Sequence, residues 1–96
     1  MTLINVFTVE PARQKQLVDL LDTATEAVMR RQPGFISASI HKSADQTRVV
    51  NYAQWRSQAD FEAMRRNPAA AEHMQAAAGL ARFDPIICEV ASSHSV

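Results

Sequence analysis

The chain has 96 residues, enough for one small domain with a modest core. Hydrophobic residues make up 47% of it and charged residues 21%, which excludes a disordered or low-complexity chain. Ten basic and ten acidic side chains cancel, so no net field draws it to nucleic acid, and the doublets Arg30-Arg31 and Arg65-Arg66 read as solvated helix faces. The single cysteine, Cys88, rules out an internal disulfide framework and reads as a buried, inert thiol. No apolar run is long enough to cross a bilayer, and the first residues read as a strand rather than as a basic segment with an apolar stretch. The expectation is a cytoplasmic protein with neither a nucleic-acid nor a membrane partner.

Thr2 to Val9 alternates as a strand that is apolar on both faces, with Leu3, Phe7 and Val9 on one and Ile4 and Val6 on the other. Asn5 is its conspicuous polar insertion. Glu10-Pro11 starts a helix, since proline's missing N–H has no helical partner in the first turn. Leu17, Leu20, Leu21, Ala24 and Val28 then form one apolar stripe, and Pro33-Gly34 ends the helix. From Phe35 to Lys42 a second strand sets Ile36, Ala38 and Ile40 against Phe35, Ser37, Ser39 and His41, and Ser43 to Thr47 is of hairpin length.

A third strand runs through Val49 and ends near Trp55, the one tryptophan. Ser57 with Asp60 reads as a helix N-cap box, and Phe61 and Met64 form the apolar side of a short helix. Asn67-Pro68 caps a further, alanine-rich helix that carries His73 and Met74. The last strand starts near Arg82 or Pro85 and reaches Val90, leaving 91–96 as a polar tail beyond an ordered core of about 4–90.

The order is β-α-β-β-α-β, an α+β fold of ferredoxin-like type, with an antiparallel sheet and helices on one face. The first, third and fourth strands are nevertheless apolar on both faces, with Ile4, Val6, Val50, Tyr52 and Ile87 assigned to the face without helices. A bare sheet of that kind would be a large apolar patch, and a second copy packed sheet to sheet is its simplest cover. A homodimer is therefore expected.

The third strand carries the clearest candidate site. Val49, Asn51, Ala53 and Trp55 share one face, with the amide and the indole separated by roughly 13 Å at the rise of an extended chain. Those two groups fit opposite ends of one pocket. A buried indole at a strand end is also an ordinary core anchor.

The segment PGFISASIHKSADQTRVVNYAQWRS, with Asn5 before it and FEAMRRNP and EHM after it, resembles the antibiotic biosynthesis monooxygenase family over about Ile4 to Val90. Asn51-Tyr52-Ala53-Gln54-Trp55 is the most specific piece. The resemblance implies a dimeric α+β barrel of two ferredoxin-like protomers. It also implies oxidation of anthrones and related phenols to quinones by O2 without flavin, haem or metal. The chain's two glycines could not build a nucleotide loop, and no His/Cys/carboxylate set stands at metal-ligand spacing. The expected partners are a small aromatic substrate and O2, with no cofactor.

On this reading Asn51 and Trp55 are catalytic, an amide and an indole N–H beside a developing anion. Asn5, Phe7, Phe61, Met64 and Met74 bind substrate. Some members carry a tyrosine where Phe61 stands, and Phe61 can donate neither a proton nor a hydrogen bond. Their arginine has Gln75 or Arg82 as its nearest candidates. His73 is the replacement acid or base, as histidine changes charge nearest neutrality, unless it faces solvent. His41 reads as structural or interfacial.

Two other functions fit the fold. One is a small-ligand-binding or stress-related dimer that has lost catalysis, suggested by Phe61. The other is a haem-degrading branch, for which Asn5 and Trp55 could serve but whose axial histidine is replaced here by Met64, Arg65 and Arg66.

Overall fold

The computed structural model describes residues 1–96. Four strands, β1 (Thr2–Val9), β2 (Phe35–Lys42), β3 (Arg48–Trp55) and β4 (Ala81–Cys88), form one antiparallel sheet in the order β2-β3-β1-β4. Three helices, α1 (Gln14–Ala27), α2 (Gln58–Arg65) and α3 (Pro68–Ala78), connect them in the expected ferredoxin-like sequence. Side-chain alternation puts Leu3, Asn5, Phe7 and Val9 of β1 beside Ala53, Asn51 and Val49 of β3 on the helix side.

Local chemistry accounts for most element ends. A 3-10 turn at Pro11–Arg13 leads into α1, and a second at Met29–Arg31 follows it. Gly34 then turns the chain at φ 84°, a conformation only glycine takes without strain. Its backbone lies so close against the Asp60 side chain that a Cβ would collide with it. Asp60 is itself the anchor of α2: its N–H donates to the Ser57 hydroxyl, and its carboxylate accepts two bonds from Arg56 at 2.8 and 3.0 Å. The Asn67 side chain accepts from Ala69 N–H to open α3, with Pro68 in the first turn.

The structure departs from the expected pattern in three places. A β-bulge between Phe35 and Ser37 reverses the parity of β2, so Phe35, Ala38 and Ile40 face the helices and Ile36 is left 59% exposed. Four apolar residues at 35, 36, 38 and 40 cannot all alternate onto one face, and an extra residue resolves the conflict. In β4 the parity is opposite to expectation: Ile87 pairs with Leu3 on the helix side, and Ile86 joins Ile4 on the open side. The strand also ends at Cys88, two residues before Val90.

The core between sheet and helices is split. One cluster joins Leu3, Val28, Ala53, Trp55, Phe61, Met64 and Ala70, and the other joins Phe7, Val9, Leu17, Leu21, Val49 and Ala77. Between them, across the middle of the sheet, lies the pair Asn5 and Asn51.

Candidate active site

The gap between the two half-cores is a cavity of about 270 Å³. Its floor is the rung Ile40, Asn51, Asn5, Pro85 across all four strands, of which the three last-named residues line the cavity. Asn5 and Asn51 are direct partners in the β1–β3 ladder, so their Cα atoms stand about 5 Å apart. The Oδ1 atom of each is sealed from solvent and has no hydrogen-bond partner. Buried polar atoms are almost always paired, so two orphan acceptors on one rung set this part of the cavity floor apart from the rest of the core.

The roof comes from α1 and α3. Ala70, His73, Met74 and Ala77 recur at helical spacing, and Ala70 and Ala77 have no exposed surface, so this face lies against the sheet. His73 and Met74 consequently reach the cavity beside Leu21, Ala24 and Thr25 of α1. Two methyl-sized side chains hold α3 close enough for a histidine to line a space of this size.

Trp55 closes one end. It is 2% exposed and clamped between two rings, Phe35 edge-on at 5.4 Å and Phe61 at 6.1 Å. Both readings of Trp55 therefore meet in one side chain, which anchors a half-core and borders the cavity. Phe61 is turned inward in the same cluster. Phe7 borders the other end and packs on Phe83 at 5.6 Å.

All eight site residues expected from sequence line this one cavity: Asn5, Phe7, Asn51, Trp55, Phe61, Met64, His73 and Met74. His41 is exposed and outside it. Neither Gln75 nor Arg82 lines it, contrary to their candidacy as the family's arginine. The arginine that does is Arg65, one of the doublets read as a solvated face. Its place at the end of α2, over the Phe61 ring at 5.8 Å, was readable only from its (i, i+4) spacing to that phenylalanine. No aspartate or glutamate borders the cavity, and no three His, Cys, Asp or Glu side chains are grouped to hold a metal.

Fold and cavity define a small α+β domain with a largely apolar cavity between sheet and helices, lined by a few polar side chains. The model of the antibiotic biosynthesis monooxygenase family matches residues 1–78. Tetracenomycin-F1 monooxygenase from Streptomyces glaucescens is 49% identical over 92 residues, 96% of this chain and 82% of that protein. The ActVA-Orf6 monooxygenase of Streptomyces coelicolor, solved with nanaomycin D, is 32% identical with a TM-score of 0.79, covering 98% of this chain and 91% of that one. SnoaB from Streptomyces nogalater, a cofactor-independent oxygenase, is 25% identical with a TM-score of 0.80 over 96% and 93% of the two chains. The chain belongs to the antibiotic biosynthesis monooxygenase family and is a monooxygenase.

Proposed function

We propose that this protein oxidises an aromatic polyketide of anthrone or quinol type to a quinone with O2, using no cofactor, and does so as a homodimer. The observation that carries this reading is the Asn5–Asn51 rung, two unpaired amides set in a cavity that is otherwise largely apolar. Its support among relatives is the similarity to tetracenomycin-F1 monooxygenase, to ActVA-Orf6 with its bound nanaomycin D, and to SnoaB.

The chemistry asks little of the protein beyond placement and charge stabilisation. An anthrone loses a proton from its methylene carbon, and the resulting enolate gives one electron to O2. Recombination of the two radicals forms a C–O bond and a peroxide at that carbon. Loss of the remaining C–H proton with cleavage of the O–O bond yields the carbonyl and one water. The CH2 group thus gives four electrons and O2 takes four, so no external reductant is needed.

Asn5 and Asn51 supply amide N–H groups to the enolate oxygen, where negative charge accumulates. His73 accepts the first proton and returns it to the departing oxygen, a part for which the lining offers no carboxylate. Trp55 fixes the plane of the rings and offers its indole N–H at the far end. Phe7, Phe61, Met64 and Met74 provide apolar walls that exclude water from the enolate.

The test is oxygen uptake by purified protein, freed of metals, with a simple anthrone. Wild type should consume one O2 per quinone formed. Asn51→Ala should slow turnover by about 100-fold or more, as expected for a lost donor at a developing oxyanion. Trp55→Phe should retain the fold and reduce turnover. Anthrone oxidation no faster than the spontaneous rate would refute the reading.

A further inference from the structure

We infer that Arg65 recognises a negatively charged oxygen on the substrate, a carboxylate or an ionised phenol at the end of the ring system that lies beneath α2. The inference rests on the proposed function and deepens it, because it selects acidic aromatics among the molecules the cavity could enclose.

Arg65 is the one permanently charged side chain among those that line the cavity, and the carboxylate beside it, Glu62, lies outside that lining. An apolar cavity with a single cation on its lining favours a ligand carrying the opposite charge. The side chain is also incompletely engaged. Its Nη1 reaches the two Glu62 oxygens at 3.3 and 3.5 Å, longer than a strong charge-assisted bond, while Nε and Nη2 have no protein partner. Arg56 shows how this chain satisfies an arginine used for structure: Nε and Nη2 both bond the Asp60 carboxylate, at 2.8 and 3.0 Å.

Position supports the same role. The Arg65 guanidinium lies 5.8 Å from the centre of the Phe61 ring, which itself stands against Trp55. Stacking on Phe61 holds the fork at the cavity margin, with half of the side chain still in water. A carboxylate presented there can take two parallel N–H bonds without being fully desolvated. The rings behind it would extend towards the amide rung.

Trp55, the one tryptophan, borders the same cavity and reports occupancy through its fluorescence without any turnover. The probes are anthraquinone-2-carboxylate and its methyl ester, together with 2-hydroxyanthraquinone and its methyl ether at mildly alkaline pH. Wild type should bind at least one of the ionised probes tenfold or more tightly than its neutral partner. A preference in the first pair identifies a carboxylate site, and one confined to the second pair a phenolate site. Arg65→Gln should abolish the preference and leave neutral-probe binding within about twofold. Arg65→Lys should keep part of it, since charge survives and the fork does not.

Equal affinity for ionised and neutral probes in wild type, or a preference unchanged in Arg65→Gln, would overturn the inference and leave the proposed reaction standing. Failure of wild type to bind any of the four would overturn it together with the aromatic-substrate reading. Half of the Arg65 side chain is in water and its Glu62 contact is at the surface, so its replacement should leave the thermal melt nearly unchanged.

Discussion

An amide oxygen sealed from water without a partner costs about 1–3 kcal/mol, and this chain carries two on one rung of its sheet, on Asn5 and Asn51. Leucine matches asparagine in shape and would join the two half-cores that the rung now separates. Asn5→Leu and Asn51→Leu should therefore each raise stability by about 1 kcal/mol in urea denaturation while turnover falls about 100-fold or more. Loss of stability on replacement would show that the amides serve the fold. At this scale the sequence was most informative where a polar residue interrupts an apolar alternation, as Asn5 and Asn51 do. It was least informative for Arg65, whose role depends on where the end of α2 lies over the cavity.

The hairpin between β2 and β3 is a polar device with its own acid sensitivity. Asp45 accepts the Thr47 and Ser43 hydroxyls, each at 2.7 Å, and the Thr47 N–H at 3.0 Å, bonds that hold its pKa down to about 2. Asp60 is lowered too, by Arg56 first and then by the Ser57 hydroxyl. A carboxylate depressed in the folded chain adds stability that is complete above about pH 4, its unfolded range, and is lost as pH falls through the folded value. Melting temperature should accordingly drop between about pH 4 and pH 2. Asp45→Asn should lower the melt at pH 7 and flatten part of that acid slope. Parallel curves for wild type and variant would exclude Asp45 as a contributor.

Elements were legible from sequence where their ends carry local chemistry, such as the Ser57 and Asn67 caps and the Gly34 turn. The register of β2 was not, because a bulge depends on the partner strand. Nor was the burial of Gln14, whose amide ties α1 to the hairpin through the Ser43 and Arg48 carbonyls at 3.1 and 3.0 Å. Nothing adjacent to Gln14 in the chain announces those two acceptors.

On the face without helices, Ile4, Val6, Val50 and Tyr52 are only half-buried and Ile86 is 45% exposed. The homodimer proposed above would bury this surface sheet to sheet. Sedimentation should give twice the 10.6 kDa of one chain, and Val50→Glu should yield monomers by placing a charge at the centre of the contact. A wild-type monomer at micromolar concentration would remove the dimer from the proposal. The face could be anticipated from two-sided strands, although β4 contributes Ile86 to it in place of Ile87.

The bulge at Ile36 and the proline in β4 have a bearing on how far such association can go. They lie on β2 and β4, the two outer strands of the sheet, where free N–H and C=O groups could recruit another strand. The bulge breaks the regular spacing along one border, and Pro85 offers no N–H along the other. Lateral ribbons of joined sheets, the route to fibres and precipitates, are thereby discouraged on both sides. The proposed pairing through the face without helices would be self-complementary and would use that face up after a single partner, so growth would end in a closed, two-fold particle.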